Sequence, residues 1–236
     1  KGTVMGMGLV NEPHPDFTDG PMGILALYST LVPLVRKRLP AQRYVLFLSF
    51  MGSLDRATDS AAWLAERRDR DPENFFGVVY EAHIYHAFGD NDKDEDTRHS
   101  WTPEVDLCKT CCRDPELLEP IAQRHLPLAV GEYSASTGPW AAPTPLFVKE
   151  FLQDQLSLWA STPGMVGSFF WNHHIQTDPD SLNFVEMSLL DLRRNIPLPK
   201  LSSLPLERRC PGRNLSRCPT FNERDVTRTS SCRWED

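Results

Sequence analysis

The sequence predicts an α/β protein built on a parallel sheet, and three observations carry that prediction. Near-continuous apolar runs of strand length alternate with amphipathic helical segments five times along the chain. Runs that are apolar on both faces belong to strands covered on both sides, as in parallel sheets. Polar and aromatic residues collect where the runs stop, at Asn11-Glu12, His83 to Tyr85, Glu132 and Trp171. No Gly-x-Gly-x-x-Gly follows any run, so a dinucleotide site in a doubly wound sheet has no support. A (β/α) barrel gathers its functional groups at the C-terminal rim of its strands, and of the two parallel architectures it fits better. Five units do not close eight strands. The chain is therefore expected to supply about strands 4 to 8 of a (β/α)8 TIM barrel, with three strands upstream of Lys1.

Each element has its own reason. Gly2 to Val10 is a short apolar run that stops at Asn11-Glu12-Pro13, and Ile24 to Val35 repeats apolar residues at helical spacing up to the basic stop Arg36-Lys37-Arg38. Tyr44 to Phe50 (YVLFLSF) is a β-prone run followed by a helix-like segment from Asp59 to Arg70. Gly77 to Tyr85 is the third run. The stretch after it, Gly89 to Asp106, holds seven acids and two bases and reads as a solvated loop insertion more readily than as a lid. Leu128 to Ser134 precedes a helix over Pro145 to Ser161, with Val148, Leu152, Leu156 and Trp159 expected along its apolar face. Met165 to Trp171 precedes a last helix over Phe184 to Arg194. Residues 201–236 have seven Arg, three Cys, three Pro and little periodicity, so the chain divides into a barrel part, 1–200, and an irregular tail, 201–236.

Composition removes several function classes. With 40% hydrophobic and 24% charged residues over 236 positions, the chain has enough apolar surface to offset chain entropy, and wholesale disorder is excluded. No stretch approaches the roughly 20 uncharged apolar residues that cross a bilayer. A net charge of −7 argues against a nucleic-acid partner, since neutralising phosphates takes a cluster of Lys and Arg. Lys1-Gly-Thr-Val-Met is neither an initiator methionine nor a signal peptide. Six cysteines in two irregular loop-like clusters suit disulfides in a secreted protein, and the sequon Asn214-Leu-Ser agrees with secretion. Cys108-x-x-Cys111-Cys112, with His99 and His125, lacks the second well-spaced pair that a zinc site requires. No metal and no cofactor are expected.

The chemistry rests on Glu12 and Glu132, each at the end of a different apolar run. Two carboxyl groups from different strands can converge on one rim, which glycoside cleavage requires: one protonates the leaving oxygen while the other attacks the anomeric carbon, about 5 Å away in a retaining enzyme. Val-Asn-Glu-Pro (10–13), His-Ile-Tyr (83–85), Val-Gly-Glu-Tyr-Ser (130–134) and Phe-Phe-Trp (169–171), in this order and spacing, resemble glycoside hydrolase family 5, most closely its fungal-type exo-β-1,3-glucanases. The resemblance covers about residues 3–198. It implies a barrel with Glu12 as general acid/base, Glu132 as nucleophile and Asn11 on the sugar 2-hydroxyl. It also implies that Tyr85 orients Glu132, that His83 supports the acid and that Trp171 forms a sugar platform. The implied substrate is β-glucan or an oligosaccharide derived from it. An endo-acting β-glucanase or mannanase of the same family, or a carbohydrate-binding pseudoenzyme, are the alternatives. The sequence departs from the group after Trp171, where Asn172-His173-His174 stands in place of a Trp and a Lys, and the family's Arg and His from the first strands lie outside this chain.

Overall fold

A computed structural model describes residues 4–13, 21–50, 54–86, 110, 113–135 and 145–171. The expected helix over 184–194, the acidic stretch 89–106, the tail 201–236, Asn214 and all six cysteines lie outside the described residues. The described residues form an α/β fold with one five-stranded parallel sheet. Its strands are β1 (Gly6–Gly8), β2 (Val45–Phe50), β3 (Val78–Ile84), β4 (Leu128–Tyr133) and β5 (Met165–Phe170), and they neighbour one another in chain order. Parallel neighbours need a crossover between them. Helices α1 (Pro21–Arg36), α2 (Leu54–Arg70), α3 (Pro72–Phe75), α4 (Asp114–Gln123) and α5 (Pro145–Ser161) stand in those crossovers. Among the described residues no helix is long and apolar enough to cross a membrane.

The strands and long helices follow the expected runs, except that α2 begins at Leu54 and not at Asp59, and that β1 is three residues long, with Val4, Met5, Leu9 and Val10 outside it. The short α3 and the α4 helix were not expected. Pro120 lies inside α4, and three acids lie among its ten residues, which obscures an apolar stripe. In α5 the buried stripe is rotated from the expected one: Phe151, Gln155 and Leu158 join Val148, Leu152 and Trp159 inside, while Leu156 is only half-buried. At 3.6 residues per turn Leu156 falls on the flank of that stripe.

The chain divides into two compact units, Lys1–His83 with Glu116–Gly131 and Thr162–Ser168, and Ile84–Pro115 with Glu132–Ser161 and Phe169–Asp236. In the first unit, register puts Gly8 beside Phe47 and Val79, and Ser49 beside Glu81. Leu46, Leu48 and Phe50 occupy the opposite face of β2 and are buried. Phe50 anchors an aromatic cluster, stacking on Tyr80 at 4.5 Å and meeting Tyr28 and Trp63 edge-on. The phenols of this cluster are satisfied: Tyr28 donates to the Ser49 carbonyl at 2.8 Å, and Tyr80 pairs with Ser60 Oγ at 2.8 Å. Burial pushes both phenols well above their ordinary range, and the Glu81 charge adds to the rise at Tyr28. Buried Arg36 closes the C-terminal end of α1, donating to the carbonyls of Leu39, Tyr44, Asn74 and Phe76. Gly164 turns the chain into β5 at φ 82°, where any Cβ would strike the Leu126 carbonyl.

In the second unit Tyr133 packs edge-on against Trp159 of α5 at 4.2 Å and against Phe170 at 5.3 Å. Phe151 of the same helix meets the His86 ring at 4.9 Å. Gln155 is fully buried on this helix face, and neither of its amide atoms has a hydrogen-bond partner among the described residues.

Candidate active site

Alternation along β3 decides which side chains can meet. Val79, Glu81 and His83 point to one side of the strand, while Tyr80, Ala82 and Ile84 point to the other. Tyr85 and His86 follow just past the last strand residue. The expectation that His83 and Tyr85 share a side follows from this period of two.

His83 holds Glu12. The chain leaves β1 through the Leu9 N–H, which donates to the Phe47 carbonyl at 3.2 Å, and then bends. That bend presents Glu12 Oε1 to His83 Nδ1 at 2.9 Å. The His83 side chain is 2% exposed and the Glu12 side chain 39%, so a fixed imidazole holds one oxygen of a carboxyl group that still reaches solvent. Glu12 sits at φ 41°, a left-handed conformation uncommon for a residue with a Cβ, and it directly precedes Pro13, which favours extended backbone instead. Local strain of this kind collects at functional sites.

Tyr85 holds Glu132. Glu132 is the penultimate residue of β4, and its Oε2 accepts the Tyr85 hydroxyl at 2.7 Å. Both side chains are half-buried. The short contact fixes one carboxylate oxygen and so orients the group. Of the other expected site residues, Asn11 lies exposed beside Glu12 in the bend. Trp171 lies one residue past β5 with half its surface exposed, and its main-chain N–H donates to the Tyr133 carbonyl at 2.8 Å. It is not a core tryptophan.

Two features escaped the sequence reading. Glu81 lies across Gly131, whose absent side chain makes the room: a Cβ there would fall on the Glu81 carboxylate. Gly8 faces the same carboxylate, with Glu81 Oε2 at 4.0 Å from where its Cβ would stand. Counting back by two from His83 would have found this acid. The second feature is a buried ion-pair set. His86 Nε2 lies 2.7 Å from Asp114 Oδ2, and Arg113 donates through Nε and Nη2 to Asp114 Oδ1 at 2.9 and 2.8 Å. His86 and Asp114 are fully buried. Burial alone would raise the Asp114 carboxyl, but the Arg113 charge and the bonds from His86 and Arg113 outweigh it and bring it down to about 2. In sequence, Asp114 lies where no element was expected, 28 positions from His86.

Chemically, the chain thus presents two glutamates, Glu12 in the bend that follows β1 and Glu132 at the end of β4, each held at one oxygen by a residue at or just past the end of β3. No family model matches the chain, and no curated protein matches it.

Proposed function

We propose that this chain is part of a retaining β-glucan hydrolase, acting on β-1,3-linked glucan from the chain end, in which a (β/α)8 barrel brings Glu12 and Glu132 to one catalytic centre. On this reading Glu132 attacks the anomeric carbon while Glu12 donates a proton to the departing glycosidic oxygen, giving a covalent glycosyl-enzyme. Glu12, now ionised, takes a proton from water, which attacks the same carbon and frees Glu132. The Tyr85 bond to Oε2 orients the Glu132 carboxylate for attack, and the His83 bond to Glu12 Oε1 turns the other oxygen toward the leaving group. Asn11 would bind the 2-hydroxyl, a contact that strengthens as the oxocarbenium-like transition state forms. The exposed Trp171 face would stack on the C–H surface of a glucosyl ring. No cofactor and no nucleic acid take part, and secretion, with disulfides among the six cysteines, belongs to the same proposal.

The observation that carries this reading is the Tyr85–Glu132 bond of 2.7 Å at two strand ends, because a nucleophilic carboxylate must be oriented before it can attack. The test uses the Glu132→Ala variant of the full-length protein with an aryl β-glucoside. Turnover should vanish, and azide should restore it as the α-glucosyl azide, since azide then attacks from the space the carboxylate has left. Formation of the β-azide would move the nucleophile to Glu12 and overturn the assignment.

A further inference from the structure

The buried ion-pair set lies one residue from the phenol that touches Glu132, and that adjacency gives it a task. Tyr85 lies beyond the last residue of β3, where the strand ladder no longer defines the chain. Its carbonyl accepts a bond from Arg113 Nη2 at 3.4 Å. The next residue, His86, is tied through Nε2 to Asp114 and packed against Phe151. An ionised Asp114 can only accept, so the imidazole proton sits on Nε2 and its ring orientation is set. The Tyr85–His86 peptide is thereby held from both ends.

We propose that Arg113, Asp114 and His86 form a positioning set that holds the Tyr85 main chain and, through the Tyr85 hydroxyl, sets the direction of Glu132. Its catalytic consequence rests on the glycosidase reading; the positioning itself does not. A buried charged set of this kind costs desolvation and is weak as a stabiliser, whereas a shift of about 1 Å in a reacting group can cost about 100-fold in rate. Asp114 is therefore a positioning residue, acting through Tyr85, and not a group that touches substrate.

Two readouts in the full-length protein test this. A 3-fluorotyrosine at position 85 reports the phenol's hydrogen bond by its fluorine resonance, with no turnover needed. Glu132→Ala defines the resonance of the released phenol, and both Asp114→Asn and Arg113→Gln should shift or broaden the signal toward it. On an aryl β-glucoside, the same two variants should lower kcat by about 10- to 100-fold with KM within about twofold. In a Tyr85→Phe background they should cost less than about threefold, because coupled residues are not additive. An unchanged resonance, or rate losses that multiply in full with Tyr85→Phe, would overturn the proposal. If Asp114→Asn does not fold, Arg113→Gln decides, since the Arg113 side chain is 24% exposed and better able to tolerate replacement. An unmodified protein that cleaves no glucoside would count against the glycosidase reading alone, with the resonance still deciding the positioning.

Discussion

Asp114 is a fully buried carboxylate that stays ionised because a cation and two hydrogen-bonding partners outweigh the cost of burial. Its carboxyl falls from the ordinary 3.8 to about 2 on folding. A depressed value means that the unfolded chain binds the proton more readily. The stabilisation is then fully present above about pH 4 and is lost as pH falls toward 2. Its size is about 2 kcal/mol, at 1.36 kcal/mol for each pH unit of difference. Urea unfolding at pH 5 and pH 2 should show the gap between the unmodified chain and Asp114→Asn narrowing by that amount; a gap that stays constant would mean that Asp114 carries no linked proton. Such residues resist sequence reading. Glu12, Glu132, His83 and Tyr85 were legible because each ends an apolar run, but His86 and Asp114 are 28 positions apart, and nothing in either neighbourhood points to the other.

At the scale of elements, Arg36 joins segments that local periodicity treats as separate. One guanidinium at the end of α1 satisfies carbonyls before β2 and around the end of α3, where the sequence shows only a basic helix stop. Its planar fork of five donors suits this task, and a lysine cannot reproduce it. Arg36→Met should lower the unfolding free energy by about 3 kcal/mol in chemical denaturation, because it strands buried carbonyls, and Arg36→Lys should recover less than half of that. A loss below about 1 kcal/mol would show that water replaces the guanidinium. Within α5 the apolar stripe was legible as a helix of the right extent. Its rotation toward Gln155 was not, since an amide on a buried face contradicts the hydrophobic pattern that locates the face.

At the scale of the molecule, β1 and β5 are the outermost strands of the sheet among the described residues, and both have exposed apolar side chains on or beside them. Met5 is 79% exposed beside β1, while Val166 and Phe169 on β5 are more than half exposed. Outer strands of this character favour edge-to-edge association. The 236-residue chain should self-associate in light scattering, and Val166→Lys with Phe169→Lys should reduce the associated species without lowering the thermal midpoint. In a closed barrel the same lysines would be buried against a neighbouring strand and would lower the midpoint instead. The sign of that change separates an open sheet from a closed one.

The sequence by itself determined the α/β class, the positions of strands β2 to β5 and of the long helices, and which residues stand at the strand ends. These depend on periodicity over a few residues and on stop signals, both local properties of the chain. Periodicity and stop signals do not say which of those residues meet: the family resemblance implied that His83 supports Glu12 and that Tyr85 orients Glu132, and tertiary structure makes those contacts across 71 and 47 positions and sets Glu81 in the space above Gly131. Such pairings arise from strand register and from the packing of helices on the sheet. One residue of register moves every side chain to the other face, so they exist only once the sheet has formed.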